Sequence, residues 1–438
     1  MCLLAFCSCS SWIDIKPSDR LSEGMLFEDR QGFEKAINGV YVGLTDRALY
    51  GRTLSAGIID FMAQYYTYGS GSDMNSMVGA YRYEEDEIKA IFQSAWEKAY
   101  ALIVNCNIII EKCDAKREVL SDVYYGLYKG EAIALRAMLH FDLLRLFGPV
   151  YKTNPKGLSI CYNKKFAYQG SNILPASEVI DNVLEDLKQA EQLLVKDPVI
   201  TEGPRNTAAS DGVNDLRLRT YRLNYYAVQA LMARVYLYAG RNEDALSMAR
   251  KLVEIQSKWY PFADYNSLME SGNKSKDRVF STEVLFGLEN KKRGEIFTNY
   301  FTPELDNGIL APTNTSLLNI FLTESTSDCR FTPFWIRPDN GKYSFRCFHK
   351  YEAPEESDPF FSYLVPMIRI SEMFYIVAET TDDETEARTC LNLVRRNRGL
   401  VAFEDTEMVD IQQVLKEEYM KEFFGEGQLF FYYKRLNV

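Results

Sequence analysis

Apolar residues recur at spacings of three and four along much of this chain, the pattern of helices that bury one face. The clearest stretch runs from Tyr124 to Phe147, where Ala132, Leu135, Leu139, Leu143 and Leu146 form a stripe that Gly148-Pro149 ends. A comparable stripe from Ile88 to Cys113 precedes it, which predicts an antiparallel pair. Pro175 to Leu194 sets Val179, Val183, Leu187 and Ala190 on one face, with Ser177 and Glu178 near its start. Leu223 to Ala239 aligns Tyr226, Ala230, Ala233 and Leu237. After Gly240, a second helix capped by Asn242 runs through Ala245, Ala249 and Leu252. Met367 to Glu379 and Glu386 to Arg395 predict a further pair ending at Gly399, and Ile411 to Phe424 a last helix before Gly425 and Gly427.

The fold class this implies is mostly α: helical pairs of tetratricopeptide type, irregular loop insertions and a small β-hairpin. The run from Ala233 to Ala245 looks like the middle of such a repeat, where small residues allow close helix approach and glycine closes the turn. Residues 202–215 form a polar loop, and Val279 to Lys350 is irregular, with a hairpin at Asn340-Gly341. Interruptions of this kind are where a helical scaffold carries function. A two-residue turn there sets Cys347 opposite Phe334 and Cys329 opposite Glu352, so Cys329 and Cys347 do not pair. Cys106 and Cys113 lie roughly 10 Å apart along one helix, too far for a disulfide. The six cysteines of the body read as small buried hydrophobes.

A chain of 438 residues with 47% apolar residues can bury a full core. Its formal net charge of -11 argues against nucleic acid as a partner, since phosphate binding needs clustered lysine and arginine. The contrast of 29 Tyr and 26 Phe with 2 His favours stacking surfaces over imidazole or metal chemistry, and no metal-ligand spacing occurs. Met1 to Cys9 is a short apolar run ending in small residues and cysteine, like the end of a lipoprotein signal peptide. Cys9, preceded by Ser8, is the favoured acylated residue and Cys7 the alternative.

Candidate chemistry concentrates in two stretches. Asp60 to Asn75 holds Tyr65, Tyr66 and Tyr68 beside Gly-Ser-Gly, with Asp73 and Asn75 following. Sugar recognition needs this mixture, with aromatic rings for the C–H face of a pyranose and carboxylates or amides for its hydroxyls. The second stretch, Phe297 to Asn307, offers Tyr300 and Asp306, with Trp335 on the later hairpin. The acidic runs Glu84 to Glu87 and Asp382 to Glu386 precede helices and suit the positive end of the dipole. No catalytic residue is assigned: neither run meets a second acid, and no nucleophile, P-loop or dinucleotide motif appears. His140 and His349 read as structural. Arg136 and Arg145, on the same helix as Glu131 and Asp142, are expected to find their partners on neighbouring helices.

Several stretches together resemble the SusD/RagB family across essentially the whole chain, in the family's order. They are Cys9 to Pro17, Gly32-Phe33 to Gly39-Val40-Tyr41, Gly130-Glu131-Ala132 through Arg136, His140-Phe141 and Leu146 to Pro149. Further on come Pro366 to Glu372, Arg395 to Leu400, and Glu417-Glu418 to Gly425-Glu426-Gly427-Gln428 with Tyr433-Lys434-Arg435. Tyr419 is a departure, since many members carry arginine there, and members commonly continue past Asn437 with a proline-containing tail. The resemblance implies residues 1–9 as a leader remnant and 10–438 as one SusD-like domain, with an N-terminal part to 200 and a ligand-loop-bearing part from 201. It also implies a cofactor-free, non-enzymatic outer-membrane lipoprotein facing the cell exterior. Such a protein binds an oligosaccharide and sits as a lid over a SusC-like TonB-dependent transporter, with Tyr65, Tyr66, Tyr68, Asp73, Asn75, Tyr300, Asp306 and Trp335 as site candidates. The alternative reading is a tetratricopeptide-type scaffold for a protein or peptide, without a sugar site.

Overall fold

A computed structural model describes residues 26–66, 74–165, 172–204, 206–210, 214, 216–338, 345–354 and 360–438. The leader with Cys7 and Cys9, the candidates Tyr68 and Asp73, and the Asn340-Gly341 turn lie outside the described residues. The longer helices are α1 (Arg30–Leu44), α2 (Asp86–Ala115), α3 (Asp122–Phe147), α4 (Ala176–Leu193), α5 (Tyr225–Tyr238) and α6 (Asn242–Trp259). They continue with α7 (Asn314–Phe321), α8 (Ile370–Thr380), α9 (Glu384–Asn397), α10 (Ile411–Glu422) and α11 (Leu429–Leu436). None is long and apolar enough to cross a membrane. Polar caps start several of them: Ser121 accepts from the Tyr124 N–H, Asn224 from Ala227 and Asp410 from Gln413. Asn242 is the first residue of α6 and not its cap; Glu243 and Asp244 in that first turn face the positive helix end instead. Gly240 takes φ +71° in the tight turn between α5 and α6, a conformation that favours glycine.

The helices pack as a row: α2 on α3, α3 on α4, α4 on α5, α5 on α6, α6 on α8 and α8 on α9. Close approach of α3 to the end of α4 depends on glycine. A Cβ at Gly126 would sit 2.4 Å from the Leu193 carbonyl oxygen, and one at Gly130 2.8 Å from Leu194 Cγ. Where the sequence predicts one apolar stripe, α3 is buried on every face from Gly126 to Arg145. It runs between α2 and α4, and α11 covers its end, where Lys434 Nζ donates to the carbonyls of Arg145 (2.7 Å) and Gly148 (2.8 Å).

Polar groups inside such a helix must be satisfied by neighbours. Arg136 makes a two-pronged contact with Asp186 of α4 (2.8 Å each) and reaches Asn107 of α2 (2.8 Å), as a scaffold residue should. Glu131 accepts from Tyr41 of α1 and pairs with Arg219 at 2.8 Å. Arg145 departs from the expectation by pairing with Asp142 on its own helix, because residues three apart share a face. His140 donates from Nδ1 to the Arg136 carbonyl and accepts at Nε2 from the Asn163 N–H. Burial pushes its pKa down to about 3, so it is a neutral structural ring.

Among the described residues, three two-stranded antiparallel ribbons interrupt the helices: β1 (Leu158–Cys161) with β2 (Ile173–Pro175), β3 (Val284–Glu289) with β6 (Leu364–Arg369), and β4 (Trp335–Ile336) with β5 (Cys347–Phe348). The helix expected from Met367 therefore starts at Ile370, and Met367 to Arg369 belong to β6. A strand buried on both faces reads as a continuous apolar run, which periodicity cannot separate from a helix. Pro366, disfavoured inside a helix, was the available signal. The hairpin register is also corrected: Cys347 faces Ile336, two positions from the expected Phe334. That shift pairs Trp335 with Phe348, ring centroids 4.7 Å apart. The six body cysteines are free, all buried except the half-buried Cys161.

Below the insertions lies a second, aromatic core with Phe280, Phe301, Phe321, Trp335, Phe348, Tyr351 and Phe424. Beside it runs a buried web of charge. Arg398 grips Glu283 through two nitrogens (2.7 and 2.6 Å) and also Glu422 (2.6 Å). Arg330 bonds Asp328, Glu418 (2.7 Å) and Glu422 (2.9 Å), while Arg369 bonds Glu426 and Glu422. Burial alone would raise the Glu418 carboxyl, but Arg330, Lys421 and Arg395 overcome it and hold the pKa at about 2. Two consequences are testable. Glu422→Gln strands three arginine contacts out of water and is expected to cost about 3–5 kcal/mol by urea denaturation. Since Glu418 and Glu422 titrate below their unfolded value of 4.5, the web's contribution is present above that pH and is lost as pH falls toward 2. An acid titration of the unfolding midpoint that stays flat from pH 5 to 3 would contradict the second.

Candidate functional site

An open cleft in two connected halves lies where the segment after the short helix Ile58–Phe61 meets α7, α10 and α11. The wider half, about 760 Å³, is lined by Met62, Tyr65, Tyr81, Met420, Phe430 and Tyr433 among others. The narrower half, about 460 Å³, is lined by Tyr65, Tyr66, Ser316, Asn319, Gln413 and Glu417 among others. Gln64, Tyr65, Lys416 and Met420 border both, so they form the ridge between them.

Helix periodicity places these residues. In α10, Gln413, Lys416 and Met420 fall at spacings of three and four on the cleft side, while Leu415, Glu418 and Glu422 face the core. In α11, Leu429, Phe431 and Tyr432 are buried, which leaves Phe430 and Tyr433 half-buried toward the cleft. Gln64 and Tyr81 hold left-handed backbone (φ 64° and 57°), unusual for residues with a side chain and concentrated at functional sites in proteins generally.

The sequence candidates separate into distinct places. Tyr65 is half-buried on the ridge, its ring 4.4 Å from Phe424 and 4.9 Å from Tyr66, centroid to centroid. Tyr66 is 6% exposed; it touches the narrower half, and its hydroxyl donates to Asp60 at 2.7 Å. Trp335 is 1% exposed, which corrects the expectation that it offers a free face. It packs edge-on against Phe424 at 4.7 Å and so supports the ring that supports Tyr65. An aromatic on a strand paired with Phe348 has a core to fill, and that packing outweighs display. Tyr300 packs edge-on to Phe61 (5.4 Å), outside the lining of either half. Asn75 lies on the helix Met74–Gly79 and Asp306 on the 3-10 turn Pro303–Gly308, and their side chains are not among the described positions.

Tyr81, Lys416, Met420, Phe430 and Tyr433 were not anticipated. Tyr81 is 65% exposed, and its signal was an aromatic pair, Tyr81 and Tyr83, placed before a helix with no apolar stripe to join. The aromatic run Phe430 to Tyr433 lies in α11, a helix beyond the last one the sequence pattern predicts, and its rings cannot all face inward.

Beneath the ridge, Asp60 is fully buried. Loss of water pushes its carboxyl up to about 7, against hydrogen bonds from Tyr66, Tyr65 and the backbone of Gly427 and Gly425. Both glycines have positive φ, and a Cβ on Gly427 would lie 2.5 Å from the Leu54 carbonyl oxygen. Glu417 is the one carboxylate side chain among the described residues lining either half, and it accepts from Gln413 at 2.7 Å. Rings, amides, a hydroxyl and a lysine equip the cleft for stacking and hydrogen bonding.

The fold is a row of helical pairs with an aromatic cleft where its C-terminal helices meet the segment after Ile58–Phe61. A family model described as starch-binding, associating with the outer membrane, matches residues 12–237, and the SusD family model matches residues 326–437. The chain belongs to the SusD/RagB family. A SusD-like protein of Formosa agariphila is 23% identical over 257 residues, a match that spans 56% of this chain and 42% of that protein. A SusD superfamily structure from Bacteroides thetaiotaomicron superposes with TM-score 0.71 at 21% identity, covering 94% of this chain and 89% of that one. A SusD-like carbohydrate binding protein from Bacteroides vulgatus gives 0.70 at 18% identity, covering 93% and 83%. The likeness to these structures is one of fold.

Because the folded pKa of Asp60 exceeds its ordinary 3.8, the folded chain holds this proton more tightly than the unfolded one. The resulting stabilisation is complete below pH ~4 and is lost as pH rises toward 7. Asn cannot ionise, so the stability of Asp60→Asn relative to the parent should rise by about 2–3 kcal/mol between pH 5 and 8 in urea denaturation. A pH-independent difference would refute a neutral buried acid at this position.

Proposed function

We propose that this chain is a non-enzymatic cell-surface protein that binds oligosaccharides and hands them to a SusC-like TonB-dependent transporter in the outer membrane, tethered by acylation of Cys9. Supporting this reading are membership of a family described as starch-binding and outer-membrane-associated, and a fold shared with a SusD-like carbohydrate binding protein. The observation that carries it is the open cleft, where Tyr65, Tyr81, Phe430 and Tyr433 offer rings beside Gln64, Gln413, Ser316 and Asn319. Volumes of this size and lining suit saccharide units, whose C–H faces stack on rings while hydroxyls meet amides. Of the sequence candidates whose side chains are described, Tyr65 is the contact best placed; Tyr66 and Trp335 act beneath it, holding the ring in position.

The test is isothermal titration of the purified protein against a panel of oligosaccharides, with product analysis afterwards. Binding without shortening of the ligand is expected. Tyr65→Ala and Tyr81→Ala should each weaken it about tenfold or more, a loss of about 1.4 kcal/mol. Tyr81 is mostly exposed, so its variant should keep the parental melting temperature, which separates lost binding from lost folding. No binding across the panel, with a protein or peptide captured instead, would favour the scaffold reading; released product would favour a hydrolase. Cys9→Ser should move the protein from the membrane to the soluble fraction.

A further inference from the structure

The charge arrangement of the cleft narrows the class of saccharide, an inference that rests on the glycan-binding reading. In a protein of net charge -11, most basic side chains near the cleft are engaged. Lys421 pairs with Glu324 (3.3 Å) and Glu418 (3.7 Å), and Arg395 with Glu324 (2.6 Å). Lys434 spends its ammonium on the carbonyls that end α3. Lys416 differs. It is exposed, it borders both halves at the ridge beside Tyr65, and it makes no ion pair or hydrogen bond among the described residues.

Its surroundings leave it available. Glu417 follows it in the chain but makes no ion pair with it; its carboxylate, still charged, accepts from Gln413 one turn earlier and lines only the narrower half. The described residues lining the wider half include no carboxylate side chain. An ammonium that makes no ion pair among the described residues, beside an aromatic platform and two neutral amides, has its complement in a negative group carried by a sugar ring that stacks on Tyr65. The geometry points to an acidic oligosaccharide, bearing a uronate carboxylate or a sulfate ester, as the ligand class. Lys416 pairs with the anion, Tyr65 takes the ring, and Gln64 and Gln413 take the hydroxyls.

Calorimetric titration with uronate-containing oligosaccharides and with the same oligosaccharides after carboxyl reduction isolates the charge, since the two differ only there. A sulfated oligosaccharide and its desulfated form make the second arm and tell the two anions apart. In at least one arm the acidic form should bind at least about fivefold tighter at low salt, and the advantage should shrink as NaCl is raised to about 0.5 M. Lys416→Gln, a change on an exposed helix position, should bring the acidic-to-neutral affinity ratio close to one. Equal affinity for charged and neutral forms in both arms, or a ratio that survives Lys416→Gln, overturns the acidic-ligand inference while leaving glycan binding standing. No binding of any of the four ligands, with other sugars also failing, removes both.

Discussion

Glu422 lies out of water and in contact with Arg330, Arg369 and Arg398, which arrive from three separate parts of the chain. A single buried charge without its partners is expensive, so the segment before β4, the strand β6, the helix α9 and the helix α10 are stable only when assembled together. Glu283 and Glu426 extend the same constraint to the start of β3 and to the turn between α10 and α11. Of the three helices that wall the cleft, α10 and the start of α11 are thereby fixed from behind by electrostatics, and the aromatic core fills the space beside them. The cleft keeps its form because its back wall is a network in which each member needs the others.

Most of the helical architecture was legible, since a stripe at three and four residues leaves little choice of element. Spacing could not show how many sides of a helix are covered. The α3 helix carries Arg136, His140 and Asp142 outside its predicted apolar stripe, and all are buried because neighbours supply matching groups. The β3–β6 ribbon was invisible for a different reason. Its strands lie some eighty residues apart and one is apolar on both faces, so neither a turn nor an alternation announces the pairing. Tyr419 stacks on Tyr432 with centroids 4.2 Å apart, and Glu418 and Glu422 on the same helix obtain their arginines from elsewhere.

The site was legible in part. The Asp60 to Asn75 segment stands out by composition, and of its described residues Met62 to Tyr66 border the cleft, but residue type cannot distinguish a displayed ring from a supporting one. Tyr65, Phe424 and Trp335 form a succession from the ridge inward, and only packing reveals which end is wet. Tyr433, Phe430 and Met420 escaped notice because they lie in helices whose other faces are core, more than three hundred residues from Tyr65. Sites assembled across such distances depend on tertiary contacts that local pattern does not encode.

The ridge made by Gln64, Tyr65, Lys416 and Met420 divides one opening into two adjoining stations. For a ligand built of repeating units, each station sees the same chemistry at every unit, so a polymer has many equivalent ways to engage and gains affinity from that multiplicity. A unit leaving one station stays tethered near the other at high local concentration, which lengthens residence without any additional contact. If the cleft holds such a ligand, short fragments that reach only one side forgo this advantage, and the ridge would grade ligands by length.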